Sequence, residues 1–374
     1  MELHFNTLAI ERFRSLRQLT LTGLGRVNLI TGRNNSGKSS VLEALRILAS
    51  EASPYVLNDI LQSREEDTEE RIEANNAKDA EILFSLSSLF NGFPLFSAKL
   101  EPIQITASGG QRPLRLSIEA GWSSEERDAN GFRRMVLQPP NLFGEVDGVP
   151  AIVVRVAEKH RLYPLDSSVL SLRGRLSRPE ITEGLRLPCV FVSPYGGERT
   201  ATLGTLWDSI ALTDLENDIV DALRIIDHDI SAVSMVGGES KRKMRTAIVR
   251  SARFPRPLPL RSFGDGLNRL FSIILSLVNA KDGLLLIDEF ENGLHHTVQT
   301  DAWRMVFKLA RRLNIQVMAT SHSWDAIEAF QQAASEDAEE GVLVRLTRKG
   351  DNIIPTLFNK DQLAIATREH IEVR

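Results

Sequence analysis

Gly32-Arg-Asn-Asn-Ser-Gly-Lys-Ser39 restricts what this chain can fold into more than any other segment, because it matches G-x-x-x-x-G-K-[ST] between an apolar and an amphipathic stretch. Before it, Arg26-Val-Asn-Leu-Ile30 reads as a buried strand ending at Gly32. After it, Leu42, Leu45 and Leu48 recur at spacing three and predict a helix over 39–49. A strand, a glycine-rich turn and a helix in that order let successive backbone N–H groups converge on an anion at the positive end of the helix. Gly32, Asn34, Asn35, Ser36, Gly37, Lys38, Ser39 and Ser40 are therefore the expected phosphate-binding residues. Lys38 would neutralise the β and γ phosphates of ATP, and the Ser39 hydroxyl would ligate Mg2+. The plainer alternative is a glycine-punctuated turn that happens to carry Gly-Lys-Ser.

Two further segments make that alternative harder to keep. Leu284-Leu-Leu-Ile-Asp-Glu289 is an apolar run ending in adjacent carboxylates, which places Asp288 at the carboxyl end of a buried strand, where α/β sheets bind ligands. An unpaired carboxylate there is costly and a divalent cation is its natural partner, so Asp288 joins Ser39 as a candidate metal residue. Glu289 is the candidate base that orients the attacking water, unless the pair merely caps a helix. Ile315-Gln-Val-Met-Ala-Thr-Ser-His-Ser323 sets His322 just past another apolar strand. Alone it would read as structural; beside the loop and the carboxylates it becomes a switch residue contacting the γ-phosphate or the lytic water. Lys38, Glu289 and His322 are thus the catalytic candidates.

Strands and helices alternate at both ends of the chain, with strands at 4–10 and 16–22, a helix at 267–280, and strand–helix repeats through 284–334. Val342–Leu346 and Asn352–Thr356 flank Lys349-Gly-Asp351 as a hairpin. Between the ends, 97–157 alternates in the manner of antiparallel strands, 64–71 is a charged run, and 206–233 reads as mainly helical. The expectation is an α/β fold with a mostly parallel sheet, N-terminal antiparallel strands and a mixed α+β insertion. Its divisions are 1–50 and 257–374 for the two halves of a head, 51–190 for the insertion and 191–256 for a helical lobe. With 374 residues, 42% of them hydrophobic, and a formal charge of −4, the chain can bury a full core and is not a uniformly basic coat for nucleic acid. The single cysteine, Cys189, cannot form an internal disulfide and is expected in an internal strand. The N-terminus lacks the pattern of a signal peptide, and the most apolar helical stretch, 267–280, carries Arg269 and is shorter than the ~20 residues of a bilayer span. A soluble, cytoplasmic protein without membrane contact is expected.

In this order and with this spacing, the motifs resemble those of the ABC-type ATPase heads of the SMC, RecF and OLD (overcoming lysogenization defect) families, among them small AAA-type ATPases of bacterial defence operons that lack a TOPRIM domain. Asp288-Glu-Phe-Glu-Asn-Gly-Leu-His295 resembles their Walker B and D-loop, D-E-P-E-x-x-L-H, with Phe290 where Pro is usual. Arg261-Ser-Phe-Gly-Asp-Gly266 occupies the place of their signature, though it differs from L-S-G-G-Q. The resemblance implies an ABC-type P-loop NTPase head in which Ser262, Gly264 and Gly266 close on ATP held by another protomer, giving a nucleotide-dependent homodimer or larger oligomer. On their own terms these three residues form a hydroxyl-and-glycine turn at a helix N-terminus, either a second anion-binding surface or a simple cap. The resemblance further implies an ATPase that regulates a separately encoded effector, such as a TOPRIM-type nuclease, in anti-phage defence. A RecF-like clamp on DNA and a nucleotide-gated scaffold are the other readings.

Lys241, Arg242, Lys243, Arg245, Arg250, Arg253, Arg256 and Arg261 make 241–261 a basic stretch that could attract the phosphate backbone of DNA or RNA, or simply form a solvated face. Asp227-His-Asp229 has the spacing of a metal pair but falls in a segment whose apolar spacing reads as a helix. Glu291 and His295 at i, i+4 could suggest zinc, although the D-loop resemblance explains both better. Asn359-Lys-Asp-Gln362 begins like the guanine-reading N-K-x-D, but Gln stands where the final Asp is required.

Overall fold

A computed structural model of the chain describes residues 2–64, 86–94, 100–110, 113–127, 133–138, 149–157, 159–164, 187–194, 200–237, 245–336 and 341–369. Its N-terminal strands, β1 (Thr7–Phe13) and β2 (Leu16–Thr22), form a hairpin around a turn in which Arg12 and Arg14 take left-handed φ of 58° and 50°. The third strand, β3 (Val27–Thr31), is buried along its whole length and runs through the loop into α1 (Lys38–Ala49), as the apolar run and leucine spacing require. A second helix, α2 (Pro54–Ser63), follows with Pro at its first turn.

The chain then lays down β4 (Ile103–Ser108), β5 (Leu114–Arg127), β6 (Arg133–Gln138), β7 (Val149–Val156) and β8 (Lys159–Pro164). These are antiparallel, as expected, and β4 pairs with β1, so the N-terminal hairpin and the inserted strands share one sheet in the order β2-β1-β4-β5-β7-β8, with β6 on β5. The charged run at 64–71 lies, beyond its first residue, outside the described residues.

The expected mainly helical region is instead mixed. After β9 (Cys189–Val192) come α3 (Thr200–Asp208) and α4 (Leu215–Leu223), and then β10 (Ile230–Val236), β11 (Thr246–Ser251) and β12 (Leu258–Pro259) form a small antiparallel sheet. The second of these helices ends at Leu223; beyond it the Asp227 carboxylate accepts the Asp229 N–H at 3.1 Å in a local turn, after which Ile230, Val233 and Met235 are buried from a strand. A single 3-10 turn, Leu260–Phe263, leads into α5 (Asp265–Asn279). The rest follows the sequence closely: β13 (Leu284–Ile287), α6 (His296–Arg312), β14 (Gln316–Thr320), α7 (Trp324–Glu336) and the hairpin β15 (Gly341–Lys349) and β16 (Asn352–Phe358). A last helix, α8 (Lys360–Arg368), was not expected.

The main sheet runs β16-β15-β3-β14-β13-β9, parallel except for β16 at its edge. Cys189 therefore lies on an edge strand among the described residues, a correction to the internal placement; burial nevertheless pushes its thiol up to about 12. Successive residues of the parallel strands face opposite layers. Ile30, Leu284, Leu286 and Met318 join α1 and the antiparallel sheet in one core, while Leu29, Leu285, Ile287 and Val317 join α5, α6 and α7 in the other. This double coverage explains the uninterrupted apolar runs of β3, β13 and β14, and it puts α1 between two sheets with its N-terminus at the carboxyl ends of the parallel strands.

Candidate functional site

The loop after β3 is shaped by backbone that only small residues permit. Gly32 has φ of 145°, and a Cβ there would lie 2.5 Å from the Leu346 carbonyl oxygen and 2.6 Å from Ser36 Oγ. Gly37 has φ of 89°, and its Cβ would meet Leu16 and Ile353 methyls at 2.8 and 2.9 Å. Gly37 caps α1 with no side-chain hydrogen bond, which leaves the first-turn N–H groups of Lys38, Ser39 and Ser40 to a ligand. Lys38 Nζ meanwhile donates to the carbonyls of Gly32 (2.6 Å) and Arg33 (3.2 Å). Burial lowers the Lys38 pKa from the usual lysine value, against the opposing pull of Asp288, Glu289 and Glu291.

Asp288 leaves β13 with its N–H bonded to the Val192 carbonyl at 2.9 Å, and it is 7% exposed. Its Oδ1 accepts from Thr320 Oγ1 at 2.5 Å and from Ser39 Oγ at 3.3 Å, so the loop, β13 and β14 converge on one carboxylate oxygen. A hydroxyl and a carboxylate at this spacing are the all-oxygen donors that Mg2+ takes, and they fit that ion. Glu289 follows in the left-handed region at φ of 49°, a conformation that costs a non-glycine residue about 1 kcal/mol or more and is held by specific bonds. Its N–H donates to Thr320 Oγ1 at 2.8 Å, and its Oε2 accepts from Asn292 Nδ2 at 2.6 Å. From α5, the buried Arg269 donates to the carbonyls of Asp288 and Glu289, each at 2.8 Å, and of Ser193 at 2.5 Å. Phe290, in the position where proline is usual, is fully buried and stacks on Trp303 at 3.8 Å, anchoring the turn.

Lys38, Ser39, Asp288 and Glu289 line one cavity of about 850 Å3, together with the rest of the loop from Asn34 to Ser40. Sequence reasoning missed the remaining wall: Arg14, Ser15 and Arg17 from the β1–β2 turn, Arg64 after α2, Asn91 to Phe93, and Arg348 and Asp351 at the β15–β16 hairpin. Their only signals were two arginines in a tight turn and a charged hairpin tip. The buried Glu43 of α1 forms an ion pair with Arg14 at 2.6 Å and accepts a hydrogen bond from Arg64 Nε at 2.7 Å, which holds both guanidinium groups at the cavity wall. His322 is half-exposed beside this cavity, its Nδ1 lying 3.2 Å from Glu291 Oε1 and 3.7 Å from Glu289 Oε1.

The signature residues are not brought to Lys38 within the chain. Ser262 lines a separate hollow of about 290 Å3 with Asp227, Arg253 and Phe254. Gly264, with φ of 100°, faces open space, while a Cβ at Gly266 would sit 3.0 Å from the Gly293 carbonyl of the D-loop. In the basic stretch, Lys241, Arg242 and Lys243 lie outside the described residues, Arg245 pairs with Asp208 at 2.5 Å, and Arg253 pairs with Asp229 at 2.7 Å. The same Arg253 accounts for Asp227 and Asp229, and His295 caps α6 by accepting the Thr297 N–H. Among the described residues no cluster of three His, Cys, Asp or Glu side chains is arranged to hold a metal ion.

Residues 3–109 match the AAA ATPase domain family, and residues 195–327 match the family described as AAA domain, putative AbiEii toxin, type IV TA system. An ATP/GTP phosphatase of Helicobacter pylori is 22% identical over 392 residues, covering 96% of each chain. The DNA replication and repair protein RecF of Acinetobacter baumannii is 46% identical over 48 residues, 13% of each chain. Among solved structures, an SMC head bound to the C-winged helix domain of ScpA shares the fold at a TM-score of 0.51 and 9% identity, covering 95% of this chain and 97% of that one.

Proposed function

We propose that this chain is an AAA-type ATPase built on an SMC/RecF-like ABC head and that it hydrolyses ATP in the cavity between the phosphate loop and Glu289, a reading supported by the matches to two AAA families over residues 3–109 and 195–327. The observation that carries this reading is that Lys38, Ser39, Asp288 and Glu289 line the same cavity, at the carboxyl ends of parallel strands. The triphosphate would lie along the N–H groups at the start of α1, with Lys38 exchanging its loop carbonyls for phosphate oxygens. Ser39 and Asp288 would hold Mg2+, which when bound offsets charge on the β and γ phosphates. Glu289 orients a water molecule and takes its proton as the water oxygen bonds to the γ-phosphorus and the bond to the β-phosphate oxygen breaks. Arg269, Thr320 and Asn292 keep the base in place, and the arginines of the far wall suit a polyanion. Replacing Lys38 by alanine should abolish ATP binding in a titration with a fluorescent nucleotide; retained affinity would overturn the site.

Ser262, Gly264 and Gly266 lie apart from the chain's own loop, and the Gly264 backbone is open. That arrangement supports closure on nucleotide held by a second copy, hence a homodimer or larger oligomer formed with ATP. Regulation of a separately encoded effector, such as a TOPRIM-type nuclease, in anti-phage defence is proposed from the family likeness, as is a cytoplasmic location. Among the described residues no helix is long and apolar enough to cross a membrane. The 48-residue likeness to RecF supports the second reading, a clamp on DNA, with 241–261 as the basic stretch, although Arg245 and Arg253 already have acidic partners in the chain.

A further inference from the structure

Glu291 has no part in hydrolysis as proposed, yet its surroundings are unusual for a surface turn. Its side chain is 9% exposed, against 37% for Glu289 and 51% for His322. Oε1 accepts the backbone N–H of His322 at 2.9 Å and lies 3.2 Å from the ring's Nδ1. Oε2 is buried without a hydrogen-bond partner. Burying a carboxylate oxygen without a partner is costly, so the retention of Glu291 here calls for an explanation in what its other oxygen does. The competing contact is clear: Glu289 Oε1 lies 3.7 Å from the same Nδ1, while Asn292 already occupies Glu289 Oε2. Oε1 is therefore the Glu289 oxygen left for a water molecule, and His322 is the neighbour able to obstruct it.

We infer that Glu291 is the positioning residue for His322: it binds the backbone N–H and Nδ1 together, holds the ring proton on Nδ1, and keeps the imidazole from closing on Glu289. A carboxylate that fixes a histidine's tautomer through one nitrogen frees the other for substrate. Nε2 would then face the reacting phosphate and water while Glu289 Oε1 stays open. The inference rests on the hydrolytic reading of the site.

The test is a double-mutant cycle joined to imidazole 15N NMR of the full chain labelled at histidine, with the His322 signal identified by its loss in His322→Gln. Glu291→Ala should lower kcat by about 10-fold to 10²-fold at unchanged KM, the scale of a misplaced catalytic group. Glu291→Gln, which keeps an oxygen acceptor, should recover most of the rate. In a His322→Ala background, Glu291→Ala should cost nothing more. The His322 proton should sit on Nδ1 in the unaltered chain and move to Nε2 in Glu291→Ala. Additive losses in the double variant, or identical His322 spectra with and without Glu291, would overturn the assignment. An unaltered chain that hydrolyses no ATP would overturn the hydrolytic reading instead, and the spectra would still decide whether Glu291 fixes the ring.

Discussion

Lys38 is an ammonium held at the start of α1 where burial makes its charge costly. Burial holds its pKa below that of an ordinary lysine, which is near ~10.4. Between those two values the unfolded chain binds a proton that the native chain has released, so native stability contributed by Lys38 rises with pH in that window and is lost as pH falls through the native pKa. Measured by chemical denaturation as pH is raised toward the ordinary lysine pKa, the stability of the unaltered protein should therefore gain on that of Lys38→Met. A constant difference would mean the lysine is not strained by burial. Lys38, Ser39, Asp288 and Glu289 were legible because each follows a buried strand or opens a helix, and such positions carry a short motif. Thr320 and Arg269 were not: a threonine ending a strand and an arginine in an apolar helix gain meaning only when β14 and α5 are laid beside β13.

At the scale of elements, the most regular segments were the most readable. The helix after the loop, α5 through α7 and the C-terminal hairpin all follow from periodicity. The misreadings fall where a local turn interrupts an apolar pattern, as at Asp227, or where a cap had been weighed only as a binding motif. Asn359-Lys-Asp-Gln362 is such a cap: Asn359 accepts the Gln362 N–H at 2.9 Å, and the Gln362 side chain accepts the Asn359 N–H at 3.1 Å. Replacing Asn359 by alanine should cost about 1 kcal/mol of stability with no change in nucleotide affinity, as read by denaturant melts and nucleotide titration. An effect on affinity would show that α8 communicates with the site.

For the whole molecule, the decisive feature is that α1 is clasped between two sheets while its N-terminus opens into the cavity. The β1–β2 turn and the β15–β16 hairpin come from opposite ends of the chain and meet against Gly37, where Leu16 and Ile353 both crowd its missing side chain. That closure was invisible in sequence, since it depends on β15 pairing with β3 across more than half the chain. It makes the site a property of the whole fold, and under the proposed assembly a second copy would complete the site through the open signature turn. In Glu289→Gln, ATP should be bound but not consumed, so light scattering should show a lasting increase in mass with ATP and none without it; an unchanged mass would remove the oligomer.

The central claim is tested most directly by the ATP turnover of that same variant, measured beside its equilibrium affinity for ATP. Glu289→Gln should bind ATP as the unaltered protein does and hydrolyse it about 10²-fold to 10⁴-fold more slowly, the usual loss when a general base is removed. Turnover at the unaltered rate would contradict the assignment of Glu289 as the base.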